Sequence, residues 1–148
     1  MIKQCAKLSI RVVPIECIQV KEYQVRYVDQ LLRYIQLLKD HPKEYAGLVY
    51  LVPSDTHAGM FALYDGHTRF CANIMAGRRN VLAVVEEEEE TTTSVPFEEW
   101  HDEAIRERIP HVGPRTDYRR YREMGHNQVG ALLMVIENLV HSQEAENE

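Results

Sequence analysis

Residues 64–77, with the sequence YDGHTRFCANIMAG, contain the part of the chain that decides the fold. The pair Asp65-Gly66 follows an apolar run and is typical of a turn. After it, apolar side chains recur at helical spacing until Gly77, and glycine often ends a helix. This stretch therefore predicts a strand, a turn, and then a helix over residues 68–76.

The sequence on both sides alternates between strand and helix patterns. Short apolar runs predict four strands, at residues 8–13, 48–52, 60–64 and 81–85. Residues 15–18 are expected to continue extended after the first strand, and turn residues predict a hairpin between the second and third. Residues 26–39 carry apolar side chains at helical spacing, which predicts an amphipathic helix ending before Pro42. The pattern predicts an α/β fold with a small mixed sheet.

The charge of the chain changes sharply near residue 85. Residues 1–84 contain 11 Lys and Arg against 7 Asp and Glu, a net charge of +4, whereas residues 85–148 contain 6 against 16, a net charge of −10. Self-repelling glutamates followed by threonines are typical of a solvated linker. We therefore expect a first domain at 1–88, an acidic and Thr-rich linker at 89–96, and a helical extension at 97–148 that packs on the first domain.

Length and composition exclude several classes of protein. A chain of 148 residues with 45% hydrophobic and 27% charged residues matches one folded domain with an extension. The sequence shows neither the apolar segment of a signal peptide nor a membrane span, which predicts a cytoplasmic protein without membrane contact. The wide spacing of Cys5, Cys17 and Cys71 fits buried, reduced thiols better than a disulfide framework or a CxxC zinc site.

The DGHTR segment at residues 65–69, called the DGHTR loop below, carries the candidate chemistry. A glycine before a helix N-terminus exposes backbone N–H groups that favour an anion. Arg69 can fork onto phosphate oxygens, Thr68 offers a hydroxyl, and His67 offers a donor whose charge depends on pH. Asp65 either holds a magnesium ion or caps the turn. The alternative is an Asp-Gly turn with a Thr cap and an incidental surface histidine and arginine.

The arrangement over residues 8–87 resembles the ParB/sulfiredoxin superfamily. The resemblance rests on the proline-containing strand at Val13-Pro14-Ile15-Glu16, a helix, two strands, and a DGHxR-type loop that opens a second helix. It implies that residues 1–88 form a ParB/sulfiredoxin-like nucleotide-binding domain. In this family such a loop binds nucleotide phosphates, which implies ATP, ADP or CTP with Mg²⁺ here. The positions that match are Asp65, Gly66, His67, Thr68 and Arg69.

The branches of this superfamily imply different activities. The catalytic cysteine of sulfiredoxin follows the glycine of the loop, where this chain has His67, and Cys71 is expected to be packed. The free serine kinase branch has an xHE-type stretch whose glutamate is the general base, and the match here is Lys21-Glu22. This resemblance implies phosphoryl transfer to a small hydroxyl substrate, with Glu22 and Asp65 as catalytic residues and Mg²⁺ on Asp65.

The partition branch offers a competing match. Residues 22–26, EYQVR, are similar to its PxQPR stretch without the prolines, which gives Gln24 and Arg26 nucleotide or interdomain contacts. The alternative function is thus a ParB-like DNA-associated regulatory, partition or nuclease module. Partition proteins normally carry a helix-turn-helix domain after the nucleotide-binding part. Residues 130–136, where its recognition helix would lie, are too apolar to enter a DNA groove and are expected to form a packing helix instead. A third hypothesis is a non-catalytic domain that binds another protein.

Arginines interleaved with tyrosines form a basic stretch in the C-terminal half. Helical spacing places three of them on one side, where they could contact nucleic acid. Pairing with nearby acidic residues is the alternative, and the net charge of −6 counts against DNA. The arginines are Arg115, Arg119, Arg120 and Arg122.

Overall fold

The computed structural model describes residues 7–87 and 112–146. The strands are β1 (Lys7–Pro14), β2 (Ile18–Gln19), β3 (Val49–Pro53), β4 (Phe61–Asp65) and β5 (Asn80–Glu87). The helices are α1 (Val28–Asp40), α2 (His67–Met75), α3 (Pro114–Glu123) and α4 (Gln128–Glu146).

The strands form one mixed sheet in the order β1-β5-β3-β4-β2. β1 pairs antiparallel with β5, and β3 pairs antiparallel with β4. β3 runs parallel to β5, and β2 runs parallel to β4. These pairings confirm the mixed α/β fold and the hairpin between β3 and β4.

The sheet must curl, because its two edge strands are neighbours in sequence. Only Ile15–Cys17, a 3₁₀ turn, lies between β1 and β2. Five flat strands would separate the edges by roughly 19 Å, and the chain from Pro14 to Ile18 spans at most about 14 Å. The contact across the curl is visible in Arg11 of β1, whose guanidinium carbon lies 5.0 Å from the ring centroid of Phe61 in β4.

The expectation that residues 15–18 stay extended was wrong for the first three of them. The physical reason is this crossing from one edge to the other, which the 3₁₀ turn accomplishes while burying Ile15 and Cys17. The two predicted helices are confirmed within two residues at each end. The linker at 89–96 and the first residues of the expected helical extension, 97–111, lie outside the described residues.

Helices α1 and α2 pack against each other, and α2 also contacts the sheet and α4. Buried side chains from these helices meet the inward-facing residues of the strands in a single cluster. Its fully buried members include Ile18, Leu31, Leu51, Phe70, Val81, Val85, Leu132 and Ile136. Cys17 and Cys71 belong to this cluster as free thiols. The described part of the chain contains no helix with the length and apolar character needed to cross a bilayer.

The C-terminal helices attach to the chain at the end of β2. The Val20 N–H donates to Gln128 Oε1 at 2.9 Å, and Gln128 Nε2 donates to the carbonyl oxygen of Ile18. The Tyr118 hydroxyl donates to the Val20 carbonyl oxygen at 2.6 Å. Side chains of α3 and α4 therefore supply backbone hydrogen bonds that another strand would otherwise make.

Candidate functional site

The DGHTR loop joins the end of β4 to the start of α2. Gly66 is the N-cap of α2 and has φ +91°, in the left-handed region that favours glycine. Asp65 Oδ1 accepts a hydrogen bond of 2.8 Å from the Gly66 N–H. A Cβ atom at Gly66 would lie 3.0 Å from the backbone Cα of Val49. Both the backbone conformation and the close approach of β3 thus require glycine here.

The N-terminus of α2 carries no cap from a side chain of its N-cap residue, because Gly66 has none. The first turn of an α-helix leaves backbone N–H groups without intrahelical partners. Together with the helix dipole, these groups create a local positive potential. The loop therefore offers backbone donors to an anion.

Arg69 is held in position from two directions. Its Nη1 donates to the Leu48 carbonyl oxygen at 2.9 Å, and its guanidinium carbon lies 5.8 Å from the ring centroid of Tyr34. A Cβ atom on Gly47 would come within 3.2 Å of Arg69 Nε, so this glycine leaves room for the side chain. A guanidinium has five N–H donors, and this anchoring leaves others to face a ligand.

A cleft of about 590 Å³ lies over the loop, a volume within the usual range for ligand sites. All five residues of the DGHTR loop line it, together with residues from the start of α1 and the start of β3. The structure thus brings these predicted residues together at one cavity. The other lining residues are Gln24, Arg26, Tyr27, Gln30, Tyr34, Leu48, Val49, Tyr50, Tyr64 and Val84.

Four tyrosines of this cleft, Tyr27, Tyr34, Tyr50 and Tyr64, were not predicted from the sequence. Gln24 and Arg26 were identified through the partition-branch match, and both line the cleft. Tyr27 is the N-cap residue of α1 and Tyr34 lies seven positions further along, within the helix, and that spacing was the available signal. Tyr50 and Tyr64 come together through the predicted β3–β4 hairpin, at a register shift between Tyr50 and Leu51 that the sequence did not indicate.

His67 lies partly buried at the start of α2. Burial lowers its pKa below the usual value of 6.5, and the nearby Asp65 carboxylate offsets part of this effect. The imidazole is therefore neutral near pH 7, where one ring nitrogen donates and the other accepts.

We expect His67 to make the fold less stable in mild acid. Its pKa is lower in the folded chain than in the unfolded chain, so the unfolded state binds more protons between the two values. The free energy of unfolding then falls as pH falls from 6.5 to the folded pKa, by about 1.4 kcal/mol for each unit between them. Urea unfolding at pH 7.0 and 5.5 measures this loss, and His67→Gln should reduce it.

The control for this experiment is His41→Gln at an exposed position after α1. This variant should keep the pH dependence of the unmodified protein. An equal loss of stability in acid for His67→Gln and the unmodified protein would contradict the assignment.

Glu22 lies outside the set of residues that line the cleft. Its carboxylate accepts a hydrogen bond of 3.0 Å from Arg115 Nη2 and another from Arg119 Nη2, both in α3. The Arg119 hydrogen bond, followed by that of Arg115, lowers the Glu22 pKa below its usual value. A carboxylate stabilised in this way is a weaker proton acceptor, which counts against Glu22 as a general base. That role stays a prediction.

Each of the four arginines proposed for nucleic acid has a partner within the protein. Arg115 and Arg119 bind Glu22, and Arg120 Nη1 lies 3.7 Å from Asp117 Oδ1. Arg122 Nη1 donates to the His126 carbonyl oxygen at 2.9 Å. Three of these contacts have the acidic partners that the alternative expects, whereas this contact of Arg122 is with a backbone carbonyl. Nucleic-acid contact stays a prediction.

Cys71 lies on the buried face of α2. Burial raises the pKa of its thiol to about 12, so the reactive thiolate is disfavoured. This agrees with the expectation that Cys71 packs in the core.

Comparison with known proteins leaves the family open. No family model matches the sequence, and no curated protein matches it. A similar solved structure is that of the C-terminally truncated chromosome-partitioning protein ParB from Caulobacter crescentus, complexed with CTP-gamma-S. The two share 24% sequence identity with a TM-score of 0.44, over 55% of this chain and 46% of that one. This similarity is too low to assign a family.

Proposed function

We propose that the protein binds the phosphate groups of a nucleotide at the DGHTR loop. One observation carries the proposal: the helix N-terminus, the left-handed glycine and an anchored arginine all line one cleft. Backbone N–H groups and a guanidinium are the donors that proteins use for phosphate oxygens. The cleft volume of about 590 Å³ suits a ligand of nucleotide size.

Mg²⁺ would accompany the nucleotide through Asp65. One oxygen of this carboxylate already accepts the Gly66 N–H, which leaves the other for a cation. The described residues contain no group of three or more His, Cys, Asp or Glu side chains that could hold a metal ion by itself. Mg²⁺ commonly binds through one or two carboxylates plus substrate phosphates, so a single Asp fits an ion that arrives with its nucleotide.

Nucleotide binding is supported better than phosphoryl transfer. Transfer to a small hydroxyl substrate would need a base within hydrogen-bonding reach of that hydroxyl. Glu22, the candidate, is engaged by Arg115 and Arg119 and lies outside the cleft residues. A regulatory module of the partition type requires only nucleotide contacts, and the presence of Gln24 and Arg26 in the cleft favours it as the second candidate.

Arg69→Ala tests the proposal. We measure thermal stabilisation and dissociation constants for ATP, ADP, CTP and GTP with and without Mg²⁺, because a ligand that binds the native state raises its stability. At least one nucleotide should bind, and Arg69→Ala should weaken it about 10- to 100-fold, the usual value of a hydrogen bond to a charged group.

Arg78→Ala is the matched control. Arg78 also donates to a backbone carbonyl, that of His41 at 3.2 Å, and also lies over a tyrosine, 5.9 Å from the ring centroid of Tyr45. It does not line the cleft. The proposal fails if no nucleotide binds, or if the two variants lose affinity equally.

A further inference from the structure

The cleft over the DGHTR loop contains two tyrosine rings that the protein leaves largely uncovered. Tyr64 is 69% exposed and Tyr27 is 67% exposed. Large aromatic side chains stabilise a fold mainly through the area that they bury, so these two contribute little to the core. Rings exposed beside an anion-binding loop are suited to contact a ligand.

Tyr64 is fixed in place despite its exposure. Its backbone lies in β4 at a register irregularity, between Leu63, which pairs with Leu51 of β3, and Asp65, which pairs with Tyr50. Its ring meets that of Tyr50 edge to face, with centroids 5.5 Å apart and planes inclined by 60°. A ring in one such contact that remains 69% exposed keeps a face open to the cleft or to solvent.

Tyr64 is also close to the loop that would hold the phosphates. It directly precedes Asp65, and Gly66 is two positions further along the chain, so the Cα atoms of Tyr64 and Gly66 are at most about 7 Å apart. In a nucleotide, the sugar lies between the base and the first phosphate. The side chain of Tyr64 is therefore within reach of the base when the phosphates lie at the DGHTR loop.

We propose that the open face of Tyr64 stacks on the nucleobase, so that the site selects nucleoside phosphates over inorganic polyphosphates. This inference rests on the proposed function, because the base is placed by phosphates at the DGHTR loop. Stacking on an aromatic ring depends on the π-face that every base has. The site therefore binds a phosphate chain that carries a base more tightly than one without a base.

The test compares tripolyphosphate with ATP, CTP, GTP and UTP, each with Mg²⁺, by calorimetry on the full chain. The best nucleotide should bind about 5- to 100-fold more tightly than tripolyphosphate, the usual effect of stacking one base on an aromatic ring. Tyr64→Leu should bring this ratio close to one while tripolyphosphate binding persists. Tyr64→Phe keeps the ring and should keep the ratio.

Tyr45→Leu is the control for loss of a tyrosine, since Tyr45 does not line the cleft. It should leave the ratio unchanged. Two results would overturn the base site and leave the phosphate site standing: a ratio near one in the unmodified protein, or an unchanged ratio in Tyr64→Leu. Failure of tripolyphosphate and all four nucleotides to bind would overturn both proposals.

Discussion

Gly66→Ala is expected to lower the free energy of unfolding by about 2–4 kcal/mol and to weaken nucleotide binding. Two costs add at this position. Alanine must adopt φ +91°, and its Cβ would lie 3.0 Å from the Cα of Val49. The backbone of β3 cannot move aside as a flexible side chain can. Any shift of the loop away from Val49 also moves the backbone donors at the start of α2. Urea unfolding and nucleotide titration measure the two effects.

Gly77→Ala separates these costs. Gly77 also has a positive φ, +78°, but a Cβ atom there would meet nothing within 4 Å. This variant should lose only about 1–2 kcal/mol, the penalty for the left-handed conformation, and should bind nucleotide normally. If both variants lost the same unfolding free energy, the close contact between the new Cβ atom and Val49 would add nothing to the effect of Gly66→Ala.

The DGHTR loop could be predicted because its determinants are local. A strand pattern, an Asp-Gly turn and a helical apolar pattern follow one another over residues 60–76, and each depends on residues a few positions apart. The structure has the same order, with β4 ending at Asp65 and α2 starting at His67. Backbone preferences act over the same short range, so a single sequence contains enough information for this part of the site.

The contacts that sequence reasoning missed join residues far apart in the chain. Glu22 binds Arg115 and Arg119, 93 and 97 positions away. Such contacts depend on how α3 docks, which no local pattern reports. No local pattern predicts the curl of the sheet either, because the curl follows from β1 and β2 lying at opposite edges. Strand order is a property of the whole fold.

Gln128→Met is expected to destabilise the protein by about 2–5 kcal/mol, because it leaves two buried backbone groups without hydrogen bonds. The side-chain amide accepts from the Val20 N–H and donates to the Ile18 carbonyl oxygen. Gln128 is only 3% exposed, and Val20 and Ile18 are buried as well. Methionine has a similar length but lacks the amide. Because the site is buried, water has poor access to make the lost hydrogen bonds in place of the amide. Chemical denaturation gives the change in unfolding free energy.

Gln36→Met is the control that makes the same chemical change at an exposed site. The Gln36 amide donates to Asp40 Oδ1 at 2.9 Å on the surface of α1, where water can replace the lost bond. Its effect should stay within about 0.5 kcal/mol. If Gln128→Met were equally mild, α4 would not be stabilising the end of β2. A large loss confined to Gln128 would instead show that residues 7–87 depend on the C-terminal helices to satisfy the backbone after β2.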